Sequence, residues 1–219
     1  MTASACPSPY YQDDFITLFR GDCLELWHWF AARCEVLVTD PPYGIAYSSL
    51  SKALGRRPIA NDRTTEVRDE VIKRWGPHRP ALVFGSWKRH RPEGVSQMLI
   101  WEKGINTGMG NLRIPWKPNH EEIYVFGKGD GFTGRRTSGV LHFSYEGVGA
   151  ARMHPTVKPL ALMRELLGKT LGVVLDPFAG SGSTLVAAKQ LGRRAIGVEL
   201  DASYCHVAAE RLRETKVIV

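Results

Sequence analysis

The chain of 219 residues lacks several features that mark specialised proteins. It has no run of about 18 apolar residues, the length that a helix needs to cross a bilayer. Its four cysteines show no Cys-x-x-Cys spacing and follow no obvious secretory segment, so we expect reduced thiols in a cytoplasmic protein. These absences argue against a membrane protein and against a fold held together by disulfides.

Metal-binding patterns are missing too. The seven histidines are scattered, without a His-x-x-x-His pair or a Cys/His cluster, so we expect no metal site. No cysteine follows a proline, which argues against the thiolate attack that methylates carbon 5 of cytosine. No segment has the composition of a linker, and we therefore expect one α/β domain over residues 1–219.

The most informative stretch that is present is Asp40-Pro41-Pro42-Tyr43, which follows the apolar run 36–39. That run predicts a buried strand, and the two prolines end its pairing and leave carbonyls directed into a cleft. The exocyclic amine of a nucleobase is a poor nucleophile, because its lone pair is delocalised into the ring. Asp40 and the Pro41 carbonyl are placed to accept its hydrogens, and Tyr43 to stack on its ring. Taken alone, the tetrapeptide is equally typical of a tight turn.

A second motif, from Gly172 to Thr184, predicts a strand, a glycine-rich turn and a helix over about 184–191. The turn lacks the lysine of a phosphate-binding P-loop, and Leu185 stands where a dinucleotide loop has its third glycine. The helix N-terminus favours an anionic group such as a carboxylate. Glu199 follows a further strand, about twenty residues after the glycines, where an acid binds ribose hydroxyls in dinucleotide sites. We interpret this segment as a nucleoside-binding βαβ unit.

Together these motifs resemble those of the amino-group DNA methyltransferases of the β arrangement. Enzymes of that family use S-adenosylmethionine to methylate adenine N6 or cytosine N4, and their Asp-Pro-Pro-Tyr motif precedes their Phe-x-Gly-x-Gly motif, as here. Three further segments agree, and the resemblance runs from about Phe15 to about Arg213. These segments are Gly21-Asp22-Cys23, His154-Pro155-Thr156-Val157-Lys158-Pro159 and Gly197-Val198-Glu199-Leu200-Asp201.

The resemblance implies roles for individual residues. Asp40, Pro41, Pro42 and Tyr43 would be catalytic. The acid at 22 would lie near the cofactor's adenine, Thr156 and Lys158 near its methionine end, and Glu199 on its ribose. Alternatively, Asp22 caps a helix over 24–32, Lys158 is a solvated charge, and Glu199 only ends a strand. The implied cofactor contacts are Asp22, Cys23, Asp40, Thr156, Lys158, Asp176, Phe178, Ala179, Gly180, Ser181, Gly182, Thr184, Glu199 and Leu200.

The order of the motifs predicts the connectivity. The chain ends after a helix at about 202–214, where the usual methyltransferase order requires a third strand, and residues 15–19 can supply it. The predicted fold is therefore a circularly permuted, Rossmann-like, mostly parallel doubly wound sheet. Strand ends at Asp22, Asp40, Asp176 and Glu199 should meet in one crevice. We expect residues 1–14 to be a tail that is either frayed or ordered on contact, and residues 127–152 to be a small target-recognition insert.

The charge balance favours a polyanionic partner. The formal net charge is +7 and the sequence pI is near 9.4, and basic pairs fall in or beside predicted loops, where they can contact phosphates. Double-stranded DNA is the partner that the resemblance implies, and the short insert leaves open a contribution from a second protomer in a homodimer. The candidate DNA contacts are Arg56, Arg57, Lys88, Arg89, Arg135 and Arg136.

Adenine is the favoured target, because many cytosine-N4 enzymes of the family carry Ser where this chain has Asp40. The resemblance also indicates a role in DNA methylation of the restriction-modification kind. Three alternatives stay open at this point. They are cytosine-N4 methylation, methylation of an RNA or protein amine, and a non-catalytic nucleoside-binding module.

Overall fold

A computed structural model describes residues 7–45, 60, 62–105, 110–144 and 157–218. Within these residues the strands form one nine-stranded sheet. The strands are β1 (Tyr11–Gln12), β2 (Ile16–Arg20), β3 (Val36–Thr39), β4 (Ala81–Gly85), β5 (Gln97–Glu102), β6 (His120–Phe126), β7 (Val140–His142), β8 (Val174–Asp176) and β9 (Ala195–Glu199). The helices are α1 (Trp27–Phe30), which runs into a 3₁₀ turn at Ala31–Arg33, α2 (Glu66–Trp75), α3 (Leu160–Gly168), α4 (Ser183–Gln190) and α5 (Ala202–Glu214).

The strand order is β1-β2-β9-β8-β3-β4-β6-β5-β7. Strands β2, β9, β8, β3 and β4 run parallel to one another, whereas β6 is antiparallel to both β4 and β5. Near the start of the chain, β2 lies beside β9, with Ile16 opposite Ala195. The predicted permutation is therefore confirmed, since a strand from the beginning of the chain completes a sheet whose first strands come last.

Two apolar clusters cover the two faces of the sheet. Val36 and Val38 of β3 join the cluster that contains helices α3, α4 and α5, whereas Leu37 joins the cluster that contains α1 and α2. Every residue of β3 and β4 is buried, as expected for strands with helices on both sides. This burial explains why both strands are continuous apolar runs rather than alternating ones.

Of the two expectations for the tail, fraying is wrong at Tyr11–Gln12, which forms β1 and pairs antiparallel with β2. The tail is held by Asp13, whose carboxylate accepts the Ile16 N–H at 2.7 Å and lies 2.6 Å from Lys189 Nζ on α4. A two-residue strand has no periodicity to detect, and its charged partner is remote in sequence. Of the proposed insert, residues 127–144 are described, and they contribute β7 to the edge of the main sheet.

No helix in the described parts of the chain combines the length and apolar character needed to cross a membrane.

Candidate active site

The carboxyl ends of the parallel strands bring the predicted acids together. Thr39, the last residue of β3, donates its hydroxyl to Asp176 Oδ1 at 2.6 Å, and this bond ties β3 to the end of β8. The Gly21 N–H donates to the Glu199 carbonyl at 2.9 Å, which places Asp22 beside the end of β9. The charge of Asp40 is close enough to act on Asp176. The four strand ends therefore meet at one edge, as the connectivity predicted.

Asp40 has internal partners on both carboxylate oxygens. The Tyr43 hydroxyl lies 2.7 Å from Oδ1, and Lys158 Nζ lies 2.5 Å from Oδ2. Burial raises the pKa of Asp40, and the negative charge of Glu121 adds to this effect while Lys158 opposes it. Asp40 thus has a raised pKa at the end of β3, while both of its oxygens are engaged by other side chains of the protein.

Glu121, on β6, is a site residue that the sequence reasoning missed. Its Oε2 lies 2.9 Å from the Tyr43 hydroxyl and 3.3 Å from Lys158 Nζ, and its Oε1 pairs with Lys103 Nζ. Burial alone would raise the pKa of Glu121, but Lys158 and Lys103 outweigh it and lower the pKa. The signal in the sequence was a pair of acidic residues, Glu121 and Glu122, near the start of a strand that ends in apolar residues.

Lys158 lies in the same cluster as Asp40 and Glu121, and its side chain is only 7% exposed. Burial by itself would lower its pKa, but Asp40 and Glu121 outweigh burial and raise it, so the ammonium stays charged. The nitrogen also sits 4.9 Å from the centre of the Phe84 ring and 5.5 Å from that of Tyr43. The solvated-charge alternative for Lys158 is therefore wrong, whereas a contact with the methionine end of the cofactor stays a prediction.

Tyr43 is held as a neutral phenol. Burial, together with the charges of Asp40 and Glu121, raises its pKa well above the usual value. One phenolic proton faces two carboxylates, so it can be donated to either of them. Stacking of the ring on a base stays a prediction.

The glycine-rich loop after β8 has the backbone that the sequence predicted. Gly180 and Gly182 have φ values of +53° and +83°, which favour glycine. A Cβ at Gly180 would have only the Phe178 carbonyl, 4.0 Å away, as a neighbour, so this residue borders open space. A Cβ at Gly182 would come within 3.0 Å of Ala208 on α5. The first glycine thus leaves room for a ligand, and the second allows the helices to pack closely.

Glu199 and α5 fix this loop. Glu199 Oε2 accepts the Gly180 N–H and Oε1 accepts the Asp201 N–H, both at 2.7 Å. Burial raises the pKa of Glu199. Arg211 of α5 donates to the Ser181 carbonyl at 2.5 Å. An acid at the end of a strand beside an open glycine turn fits the ribose of a nucleoside cofactor, because each carboxylate oxygen retains a lone pair.

Three other predicted cofactor residues make contacts within the protein itself. Asp176 is 2% exposed and accepts hydrogen bonds from Thr39, Thr184 and the Phe178 N–H. These bonds fix the start of the glycine-rich loop to β3 and α4. Cys23 is buried in the apolar core, and burial raises the pKa of its thiol to about 12. Asp22 accepts the Leu24 N–H at 2.7 Å, as its capping alternative predicted, although the helix itself begins only at Trp27. Direct cofactor contacts by these residues stay predictions.

The remaining members of the predicted set can be placed briefly. Phe178 is half-buried, Ala179 and Ser181 are buried, and Leu200 is 45% exposed. Pro41 is buried and Pro42 half-buried. Thr156 lies outside the described residues.

The predicted DNA contacts differ in their surroundings. Lys88, Arg135 and Arg136 are exposed. Arg89 donates its guanidinium to the Gly44 carbonyl, so this side chain supports the end of the Asp-Pro-Pro-Tyr turn. Arg56 and Arg57 lie outside the described residues. In the described residues, no three His, Cys, Asp or Glu side chains are grouped so that they could hold a metal ion.

Comparison with known proteins decides the family. Residues 92–210 match the family model for N6 and N4 DNA methylases. The chain belongs to this DNA methylase family. A relative, the type II methyltransferase M2.DpnII of Streptococcus pneumoniae, is 45% identical, and the match covers 93% of this chain and 92% of the relative. As a member of the family, the protein is an S-adenosylmethionine-dependent DNA methyltransferase.

Solved structures agree with this methylase fold. The M1.HpyAVI complex with S-adenosylmethionine superimposes with a TM-score of 0.67 at 23% identity, covering 90% of this chain and 99% of that one. The cytosine-N4-specific PvuII DNA methyltransferase gives a TM-score of 0.71 at 19% identity, covering 94% and 89%. At such low identities these likenesses support the fold alone.

Proposed function

We propose that this DNA methyltransferase transfers its methyl group to N6 of adenine. The observation that carries the proposal is the identity and setting of Asp40, a half-buried carboxylate whose pKa is raised and whose neighbours hold it at the end of β3. Many cytosine-N4 enzymes of the family carry Ser at this position. A carboxylate withdraws hydrogen-bonded protons from an amine more strongly than a hydroxyl does, because it carries a full negative charge.

The chemistry follows from the positions of the catalytic side chains. When bound, S-adenosylmethionine supplies an electrophilic methyl group on a sulfonium. Asp40 and the Pro41 carbonyl accept the two hydrogens of the adenine amine, which keeps the lone pair on nitrogen, and Tyr43 stacks on the ring. Holding two reactants in an attack geometry contributes on the order of 7–11 kcal/mol. No covalent bond to the enzyme is needed.

The target base must leave the duplex to enter this site. Flipping it costs roughly a few kcal/mol, which protein contacts offset. We assign these contacts to exposed basic side chains, of which Lys88, Arg135 and Arg136 are described. Arg89 acts differently in this proposal, since its bond to the Gly44 carbonyl makes it a support for the catalytic turn.

Sequencing of modified bases tests the choice of adenine. The protein is expressed in cells that lack adenine and cytosine-N4 methylation, and genomic DNA is analysed for both products, with the Asp40→Ala variant as the matched control. We expect N6-methyladenine in a fixed sequence context with the native chain and none with the variant. N4-methylcytosine as the only product would replace the proposal by its alternative.

A further inference from the structure

The oxygens that Asp40 needs for catalysis are already engaged by the protein. Oδ1 is bound by the Tyr43 hydroxyl and Oδ2 by Lys158 Nζ, at 2.7 and 2.5 Å. A carboxylate that shares its electron density with an ammonium at this distance is a weaker acceptor for an amine. The hydrogen bonds must therefore rearrange when the target base arrives, and Lys158 and the Tyr43 proton need another acceptor.

Glu121 is placed to be that acceptor. Its Oε2 lies 3.3 Å from Lys158 Nζ and 2.9 Å from the Tyr43 hydroxyl, so both groups can turn to it with little movement. The side chain is 16% exposed, and its other oxygen is anchored by Lys103. Glu121 is thus anchored through Oε1, while Oε2 faces Lys158 and the Tyr43 hydroxyl, the two groups that Asp40 must release.

Charge favours the same exchange. The cluster contains two carboxylates, Asp40 and Glu121, and two ammonium groups, Lys103 and Lys158, so its formal charges balance. The pKa of Glu121 is lowered and that of Asp40 is raised, which makes Glu121 the firmer anion of the two. Lys158 therefore loses little electrostatic stabilisation when it exchanges its ion pair with Asp40 for one with Glu121.

We infer that Glu121 is a positioning residue, which draws Lys158 and the Tyr43 hydroxyl away from Asp40 so that Asp40 is free to accept the amine of the target base. The inference rests on the proposed catalytic role of Asp40, but not on the choice between adenine and cytosine. No bond to the substrate is assigned to Glu121. Its effect passes through Asp40, Tyr43 and Lys158.

The adjacent residue provides a matched control. Glu122 is also buried, but it points to the opposite face of β6, where Arg91 pairs with it at 2.9 Å and the Tyr124 hydroxyl donates to it at 2.7 Å. Glu121→Gln and Glu122→Gln each remove one buried charge from the same strand. Only the first removes the acceptor next to Asp40.

The test measures the single-turnover rate of methyl transfer to DNA as a function of pH, with cofactor and DNA saturating. For Glu121→Gln we expect the rate to fall by about tenfold or more while the dissociation constant for S-adenosylmethionine stays within about threefold. The acid limb of the profile should move to lower pH, because Lys158 remains on Asp40 and the repulsion from Glu121 is gone. For Glu122→Gln we expect an unmoved limb.

Two results would overturn the inference: a Glu121→Gln rate within about threefold of the native rate, or a slower rate with an unmoved acid limb. If Glu121→Gln does not fold, Glu121→Asp takes its place, since the shorter side chain keeps the charge but withdraws it from Lys158. For this variant a rate within about threefold of the native rate is the result that overturns the inference. The native enzyme is assayed on the base that it methylates. A cytosine product would thus refute the proposed function and leave this test intact.

Discussion

The carboxylate of Asp40, which we propose to be catalytic, has a raised pKa. Asp40→Ala should lower the rate of methyl transfer by about a hundredfold or more, because it removes the charged acceptor at the end of β3. Binding of S-adenosylmethionine, followed by calorimetry, should change little. Asp14→Asn, which removes an exposed carboxylate before β2, is the control. Retained activity in Asp40→Ala would contradict the role given to this residue.

Asp176 makes a prediction about stability and pH. Burial raises its pKa from 3.8 to about 6, with partial compensation by Thr184 and Thr39. The folded state therefore holds a proton more tightly than the unfolded state does, so this group lowers the free energy of unfolding as pH rises from about 4 to about 6. Asp176→Asn cannot titrate, so it removes this pH-dependent loss of stability. The amide keeps an oxygen that can accept hydrogen bonds from Thr39 and the Phe178 N–H.

Denaturant unfolding of both proteins at pH 4 and pH 7 measures this effect. The stability of Asp176→Asn relative to the native protein should rise with pH, by an amount of up to about 3 kcal/mol. Groups that the two proteins share cancel in the difference. A difference that does not depend on pH would show that Asp176 titrates alike in the folded and unfolded states.

Individual residues also show what a single sequence can predict. Asp40 and Glu199 were found because each ends an apolar strand, a position visible in the sequence. Glu121 and Lys103 were missed, because their importance depends on Tyr43 and Lys158, which lie far away in the chain. The family resemblance placed Asp176 among the cofactor contacts, which stays a prediction; its hydrogen bonds to Thr39 and to the Phe178 N–H became visible only in the structure.

Among the secondary structure elements, helix α5 is bonded directly to the glycine-rich loop that we expect to bind the cofactor. Arg211 donates to the Ser181 carbonyl at 2.5 Å and to the Ser181 hydroxyl at 3.2 Å. Arg211→Met should loosen the loop and raise the dissociation constant for S-adenosylmethionine by about tenfold, equivalent to roughly 1.4 kcal/mol. Arg213→Met, on the same helix, removes an arginine that pairs with exposed Glu210.

Calorimetric titration of both variants separates a loop effect from a general loss of charge. Arg213→Met should bind the cofactor as the native protein does. Equal affinities for the two variants would mean that Arg211 does not position the loop.

Element boundaries were predicted best where the pattern was strong. Helix α5 begins and ends at the predicted residues, because it is a long amphipathic segment. The possible helix over 24–32 shortens to Trp27–Phe30 and a 3₁₀ turn. The aromatic residues of this segment pack into the core and determine its conformation more strongly than helical periodicity does.

For the molecule as a whole, the permuted strand order was predictable from the order of the motifs. Two strands can pair in parallel whether they are close or far apart in the chain, as β2 and β9 do. The two ends of the described chain both reach the last turn of α4. Lys189 Nζ donates to the Tyr11 hydroxyl at 3.2 Å, and the Ile218 N–H donates to the Gln190 carbonyl at 2.9 Å. A short linker can therefore join them.

A circular permutant that restores the usual methyltransferase order tests this view of the fold. It joins residue 218 to residue 7 through a Gly/Ser linker, made in two lengths. The chain is opened between Ser144 and Tyr145, so that Thr156 stays next to Val157. Because β8, β9 and β2 keep the same neighbours, we expect a melting temperature within about 5 °C of the native protein. S-adenosylmethionine should bind with unchanged affinity. A control permutant opened between Gly180 and Ser181 interrupts the cofactor loop and should lose that binding. If the first permutant failed to fold with either linker, the sheet would depend on the order in which the chain supplies its strands.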